Sequence, residues 1–119
     1  MLRPTEYAEA VRTAVLGAGF LQVDLQMKLG IPDHLLVLVA DEFDEDEPPD
    51  APARYQASCP YYTVTTECGT FGIAWVGPEF PVLDLTGCDK PLTSLGEPLA
   101  DHVYPCTHEV LQGLKLLLS

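Results

Sequence analysis

Basic residues are scarce in this chain. Six lysines and arginines stand against eighteen aspartates and glutamates, a formal charge of −12. A field of that sign repels nucleic-acid phosphates and anionic lipid headgroups, which argues against nucleic acid and membrane surfaces as partners. Long apolar runs are lacking too. The longest, Leu35–Ala40, falls far short of the ~18–20 residues that a membrane span needs. The start, Met1-Leu2-Arg3-Pro4-Thr5-Glu6, has no apolar stretch of the kind a signal peptide carries. The expectation is a soluble, cytoplasmic protein. No internal repeat is found, and no Cys-x-x-Cys pair. In a reducing compartment Cys59, Cys68, Cys88 and Cys106 are expected as free thiols. In an oxidising one, four cysteines would allow three pairings.

What is present fits one domain over residues 1–119, with 47% hydrophobic residues, enough to form a core. The patterning predicts an α+β fold. It has N-terminal helices, a small antiparallel sheet made of a hairpin over 61–76 plus one or two strands, and a C-terminal helix packed on the sheet. Tyr7, Val11, Ala14, Val15 and Ala18 share a face at helical spacing, which predicts a helix over 5–17 capped by Thr5. Leu21, Leu25 and Leu29 suggest a second helix over 20–29, stopped by Gly30 and Pro32. Residues 34–43 fit helix or buried strand, and Asp33 as a cap tips the balance to helix. Arg54–Ser58 is expected as a short strand. Tyr61–Glu67 and Phe71–Val76 form the hairpin around Cys68-Gly69-Thr70, with Phe71, Ile73 and Trp75 on one face. Val82–Leu85 offers a further strand, and Thr86–Pro105 is irregular. Thr107 should cap a last helix whose stripe is Val110, Leu111, Leu114, Leu117 and Leu118.

The compositional break is Asp41–Ala53, an exposed, proline-rich acidic loop with seven acids between positions 41 and 50. It is not a calcium loop of the EF-hand type. Counted from Asp44, Pro49 occupies the required glycine and Tyr55 the required glutamate. Spread over at most ~33–36 Å, with screening over ~8 Å at physiological salt, these charges act as one negative patch.

Several familiar sites can be weighed. A helix-turn-helix reading of Leu25–Phe43 would give a recognition helix that bears Asp33, Asp41 and Glu42 and no lysine or arginine, the wrong sign for DNA. Zinc or thiol chemistry would have to combine Cys68, Cys106 and His108, since only Cys106 and His108 are close in sequence. An acidic field raises a thiol pKa and opposes the thiolate. No catalytic residue is therefore assigned, and no cofactor beyond that zinc alternative.

The order Leu38-Val39-Ala40-Asp41-Glu42, the acidic run, then Tyr62-x-Val64-x-Thr66-x-Cys68 is similar to the small papillomavirus transforming protein. That resemblance, over about thirty residues, would imply pocket-protein binding and a zinc-bound dimer. The chain departs from it at both specific positions. Ala40 replaces the cysteine of Leu-x-Cys-x-Glu, and Phe71 stands where Cys68 needs its zinc partner. No family assignment is made on it.

The remaining expectation is a non-enzymatic interaction module for a basic protein partner, which it would neutralise, inhibit or escort as immunity proteins, inhibitors and secretion chaperones do. Asp41, Glu42, Phe43, Asp44, Glu45, Asp46, Glu47 and Asp50 would steer and contact that partner. Tyr61, Tyr62 and Trp75 would anchor it, with Tyr55 and Phe80 also available.

Overall fold

The computed structural model describes residues 4–40, 46, 48–76 and 81–119. The fold is α+β, and the sheet is larger than the sequence suggests. Five antiparallel strands run in the order β1-β2-β3-β4-β5. They are β1 (Asp24–Leu29), β2 (Pro60–Thr65), β3 (Thr70–Trp75), β4 (Pro81–Asp84) and β5 (Val103–Pro105). Among the described residues the helices are α1 (Pro4–Gly17), α2 (Leu36–Ala40), α3 (Ala51–Ser58) and α4 (His108–Leu118).

The sheet is covered on both faces. On one, Tyr62, Val64, Phe71, Ile73, Trp75, Leu83 and Tyr104 pack against Tyr7, Val11 and Val15 of α1 and Leu111 and Leu114 of α4. The aromatic rings of Tyr7 and Trp75 meet at 4.8 Å between centroids, tilted by 55°, a geometry that suits their quadrupoles. On the other face Ala74, Val76, Val82 and Val103 pack against Ile31, Leu35 and Cys59, with Tyr55 and Leu38 beside them. The C-terminal helix is capped as expected, Thr107 Oγ1 accepting from the Val110 amide at 3.2 Å.

Three elements differ from the sequence reading. Residues 20–29 contain a strand rather than a helix. Val23, Leu25, Met27 and Leu29 alternate with Asp24, Gln26 and Lys28, and this period of two matches β1, which pairs along its whole length with β2. Leu21, read as part of a helical stripe, is 81% exposed. Arg54–Ser58 belongs to helix α3 rather than to a strand. Proline in the first helical turn favours a helix start, so α3 begins at Ala51, and the loop expected to reach Ala53 gives way to helix after Asp50. Thr86–Pro105 holds a 3₁₀ turn at Thr93–Leu95 and the strand β5. The ambiguous segment resolves to a 3₁₀ turn, Asp33–Leu35, followed by α2; its expected extension over 41–43 lies outside the described residues. Thr5 lies inside α1 rather than at its cap.

Glu67 fixes the approach to β1. Its carboxylate accepts from the Leu21 and Gln22 amides, each at 2.9 Å. Those two bonds hold its pKa below the ordinary value. The turn between β2 and β3 is thereby tied to the chain leaving α1.

Candidate functional site

A cleft of about 340 Å³ opens beside β2, β3 and β4, near the small end of pockets that take ligands. Its polar floor is built by four side chains from distant parts of the chain. Asp84 ends β4 and is 6% exposed. Tyr61 on β2 donates its hydroxyl to Asp84 Oδ2 at 2.8 Å. Thr86 donates both its hydroxyl and its amide to Oδ1, at 2.6 Å and 3.2 Å. His34, in the 3₁₀ turn before α2, places Nε2 3.0 Å from the same oxygen and 3.1 Å from Thr86 Oγ1.

Gly72 makes this arrangement fit. In register it lies between Thr63 and Asp84, so Tyr61 must cross β3 over the glycine to reach β4. A Cβ on residue 72 would come within 2.7 Å of Tyr61 Cζ and still closer to its hydroxyl. A side chain at 72 would push the Tyr61 ring away from Asp84.

The electrostatics follow from the donors. Burial pushes the Asp84 carboxyl up, but hydrogen bonds from Thr86, Tyr61 and His34 outweigh it and leave the pKa below its ordinary value. Asp84 is thus an ionised acceptor. The Tyr61 phenol moves the other way, raised by burial and then by its bond to the Asp84 charge. An ionised acceptor also sets the histidine tautomer: Nε2 carries the proton, and in neutral His34 the lone pair is on Nδ1. Among the described residues Nδ1 has no partner. The imidazole is 38% exposed. A buried anion held by donors from β2, from the residue just past β4 and from the 3₁₀ turn before α2 gives the cleft a negative floor that suits a cationic or hydrogen-bonding group.

The sequence did not single out this constellation. Its members are separated by up to 52 positions, and none falls in a motif. The one signal was Gly72, an isolated glycine within a strand, which often marks a close approach.

The residues expected to contact a partner are placed as follows. Asp41, Glu42, Phe43, Asp44, Glu45 and Glu47 lie outside the described residues, as does Phe80. Asp46 and Asp50 are exposed, and Asp50 pairs with Arg54 one helical turn on, at 3.1 Å. Tyr61 is half-buried in the cleft floor. Tyr62 and Trp75 are core residues, 1% and 8% exposed, so the surface-anchor role expected of them does not suit this fold. Their place in an alternating strand turns both rings to the α1 and α4 face.

The fold also separates the members of the zinc or thiol alternative. Cys68 Sγ lies 4.0 Å from Ser119 Oγ, just past the C-terminal end of α4. His108 starts that helix, with Cys106 just before it. A helix of this length separates its ends by roughly 16 Å. Burial pushes the Cys106 thiol up to about 12 and the Cys59 thiol up to about 11, so neither favours the thiolate. Among the described residues no three histidine, cysteine or acidic side chains cluster as a metal site would need. Nor is any described helix long and apolar enough to cross a membrane.

Comparison with protein-family models, with curated proteins and with solved structures finds no match for this chain.

Proposed function

We propose that the protein is a non-enzymatic acidic module that binds a basic protein partner, in the manner of an immunity protein, an inhibitor or a secretion chaperone. The observation that carries this reading is the threefold excess of acids over bases in the sequence. Eighteen acids outnumber six bases, and several of those bases are spent on neutral groups. Arg12 donates to the Val23 carbonyl at 2.9 Å, and Lys90 to the Leu117 carbonyl at 2.8 Å. The Lys28 ammonium sits 5.3 Å from the centre of the Tyr61 ring. Arg54 does pair with an acid, Asp50.

The surplus is therefore available to a cationic surface. Exposed ion pairs are worth only ~0–1 kcal/mol each, so charge alone gives rapid encounter and partner choice rather than tight binding. The acids over 41–50 supply the steering. With Tyr62 and Trp75 in the core, the cleft over Asp84 is the place where a lysine or arginine side chain of the partner would lodge.

The test is capture of the partner from the native host, followed by association kinetics. A basic partner whose association slows as salt rises, and slows again when Asp41, Glu42, Asp44, Glu45, Asp46, Glu47 and Asp50 are changed to their amides, supports the reading. A neutral or acidic partner, or kinetics indifferent to both changes, refutes it.

A further inference from the structure

The two edges of the sheet are finished differently. At the β5 edge the strand has three residues and ends in Pro105. The chain also folds back on it, Leu99 donating its amide to the Val103 carbonyl at 2.7 Å and the Val103 amide donating to the Ala100 carbonyl at 3.0 Å. Short length, proline and cover are the usual protections of an edge strand. Among the described residues the β1 edge lacks all three. It is six residues long, contains no proline, and pairs on one side only, with β2. Among the described residues no backbone hydrogen bond reaches its outer side. Lysine is another edge protection, but the ammonium of Lys28 is turned onto the Tyr61 ring. Apolar side chains accompany the open edge, Met27 45% and Leu29 63% exposed.

We propose that this edge joins β1 of a second copy of the chain in a two-fold symmetric, antiparallel pair, making one continuous sheet across a homodimer. The sequence of β1 is complementary to itself in one register. A two-fold axis at Gln26 sets Asp24 against Lys28 of the second copy and Lys28 against its Asp24. It also sets Leu25 against Met27, and Gln26 against Gln26. Opposite residues of an antiparallel pair share a face. Both opposite-charge pairs therefore fall on the Tyr61 side, and the Leu25 and Met27 contacts on the α1 side. Moving the axis by one residue in either direction loses the charge pairing. Cross-strand pairs of opposite charge and of apolar residues are the units that stabilise a sheet. This inference does not depend on the proposed basic partner.

The charge of −12 on each copy opposes association at long range, whereas the cross-strand pairs act at contact. Screening shortens from ~10 Å at ~0.1 M salt to ~3 Å at ~1 M. The dimer therefore strengthens as salt rises, the opposite of the dependence expected for a basic partner.

The experiment is sedimentation velocity on the purified chain across that salt range, with reductant present to exclude disulfide links. The expected result is a species of twice 13.0 kDa that grows with salt. Lys28→Asp alone and Asp24→Lys alone each place like charges opposite one another twice per dimer and should weaken association by roughly tenfold or more. The double exchange, Asp24→Lys with Lys28→Asp, restores the pairing and the dimer. Circular dichroism checks that each variant is folded, and Asp24→Lys leaves the Lys28 contact with Tyr61 in place. A monomer at every salt concentration overturns the proposal. So does a dimer indifferent to both single changes, or one that the double exchange fails to restore.

Discussion

Tyr61 gives its hydroxyl to Asp84 across an intervening strand, at 2.8 Å, and Gly72 is the residue that lets it pass. This bond joins β2 to β4 over the top of β3 and closes the polar floor of the cleft. Tyr61→Phe removes one donor from a buried carboxylate, a loss of ~1.5–3 kcal/mol for a bond to a charged group. Gly72→Ala forces the ring aside and should cost ~1–3 kcal/mol. Since both changes break the same bond, the double variant should cost less than their sum. Urea unfolding of the four proteins measures that coupling.

The carboxylate makes acid stability informative. The pKa of Asp84 is depressed in the folded state. The stability it contributes is therefore present above its unfolded value, ~3.9, and is lost as pH falls through the folded value. Asp84→Asn should be less stable than the parent at neutral pH, and the difference should shrink below about pH 4. Tyr61 acts at the other limit. Its pKa is raised, so the stability linked to its protonated form is full below ~10 and declines above it. In Tyr61→Phe that alkaline decline should be reduced. Unfolding free energies measured across pH check both signs.

The bond between Thr107 and the Val110 amide predicts a loss of ~1 kcal/mol for Thr107→Ala, with most of it recovered in Thr107→Ser. The readout is the shift in urea midpoint at unchanged slope.

Glu67 makes a more local prediction. Each carboxylate oxygen accepts one amide, from Leu21 and from Gln22. Glu67→Gln keeps one acceptor and turns a donor toward the other amide. Hydrogen exchange at one of these two amides should accelerate while the β2 and β3 amides keep their protection.

Much of the fold was legible because its strongest patterns are local. The Tyr7, Val11, Val15 stripe, the hairpin with Phe71, Ile73 and Trp75 sharing a face, and the Thr107 cap each depend on residues near one another in sequence. The errors arose where two periods coincide. Leu21, Leu25 and Leu29 satisfy a helical spacing, while Val23, Leu25, Met27 and Leu29 satisfy alternation, and pairing with β2 decides between them. At Ala51 the same prolines serve either as breakers or as the first turn of a helix. The cleft was not legible. His34, Tyr61, Asp84 and Thr86 acquire meaning only once strand order places them around Gly72. The exposure of Trp75 and Tyr62 was misjudged because an aromatic in an alternating strand serves a core or a surface equally well until the covering helices are known.

The central claim, that this acid-rich chain binds a cationic protein, is tested most directly by the association rate of the captured partner as a function of ionic strength. Steering of this kind changes rates by ~10–10³-fold. A fall of at least tenfold between ~0.05 and ~0.5 M salt is predicted, with the amide-substituted 41–50 variant starting slower and falling less. A rate that stays level across that range in the unmodified protein would contradict the account.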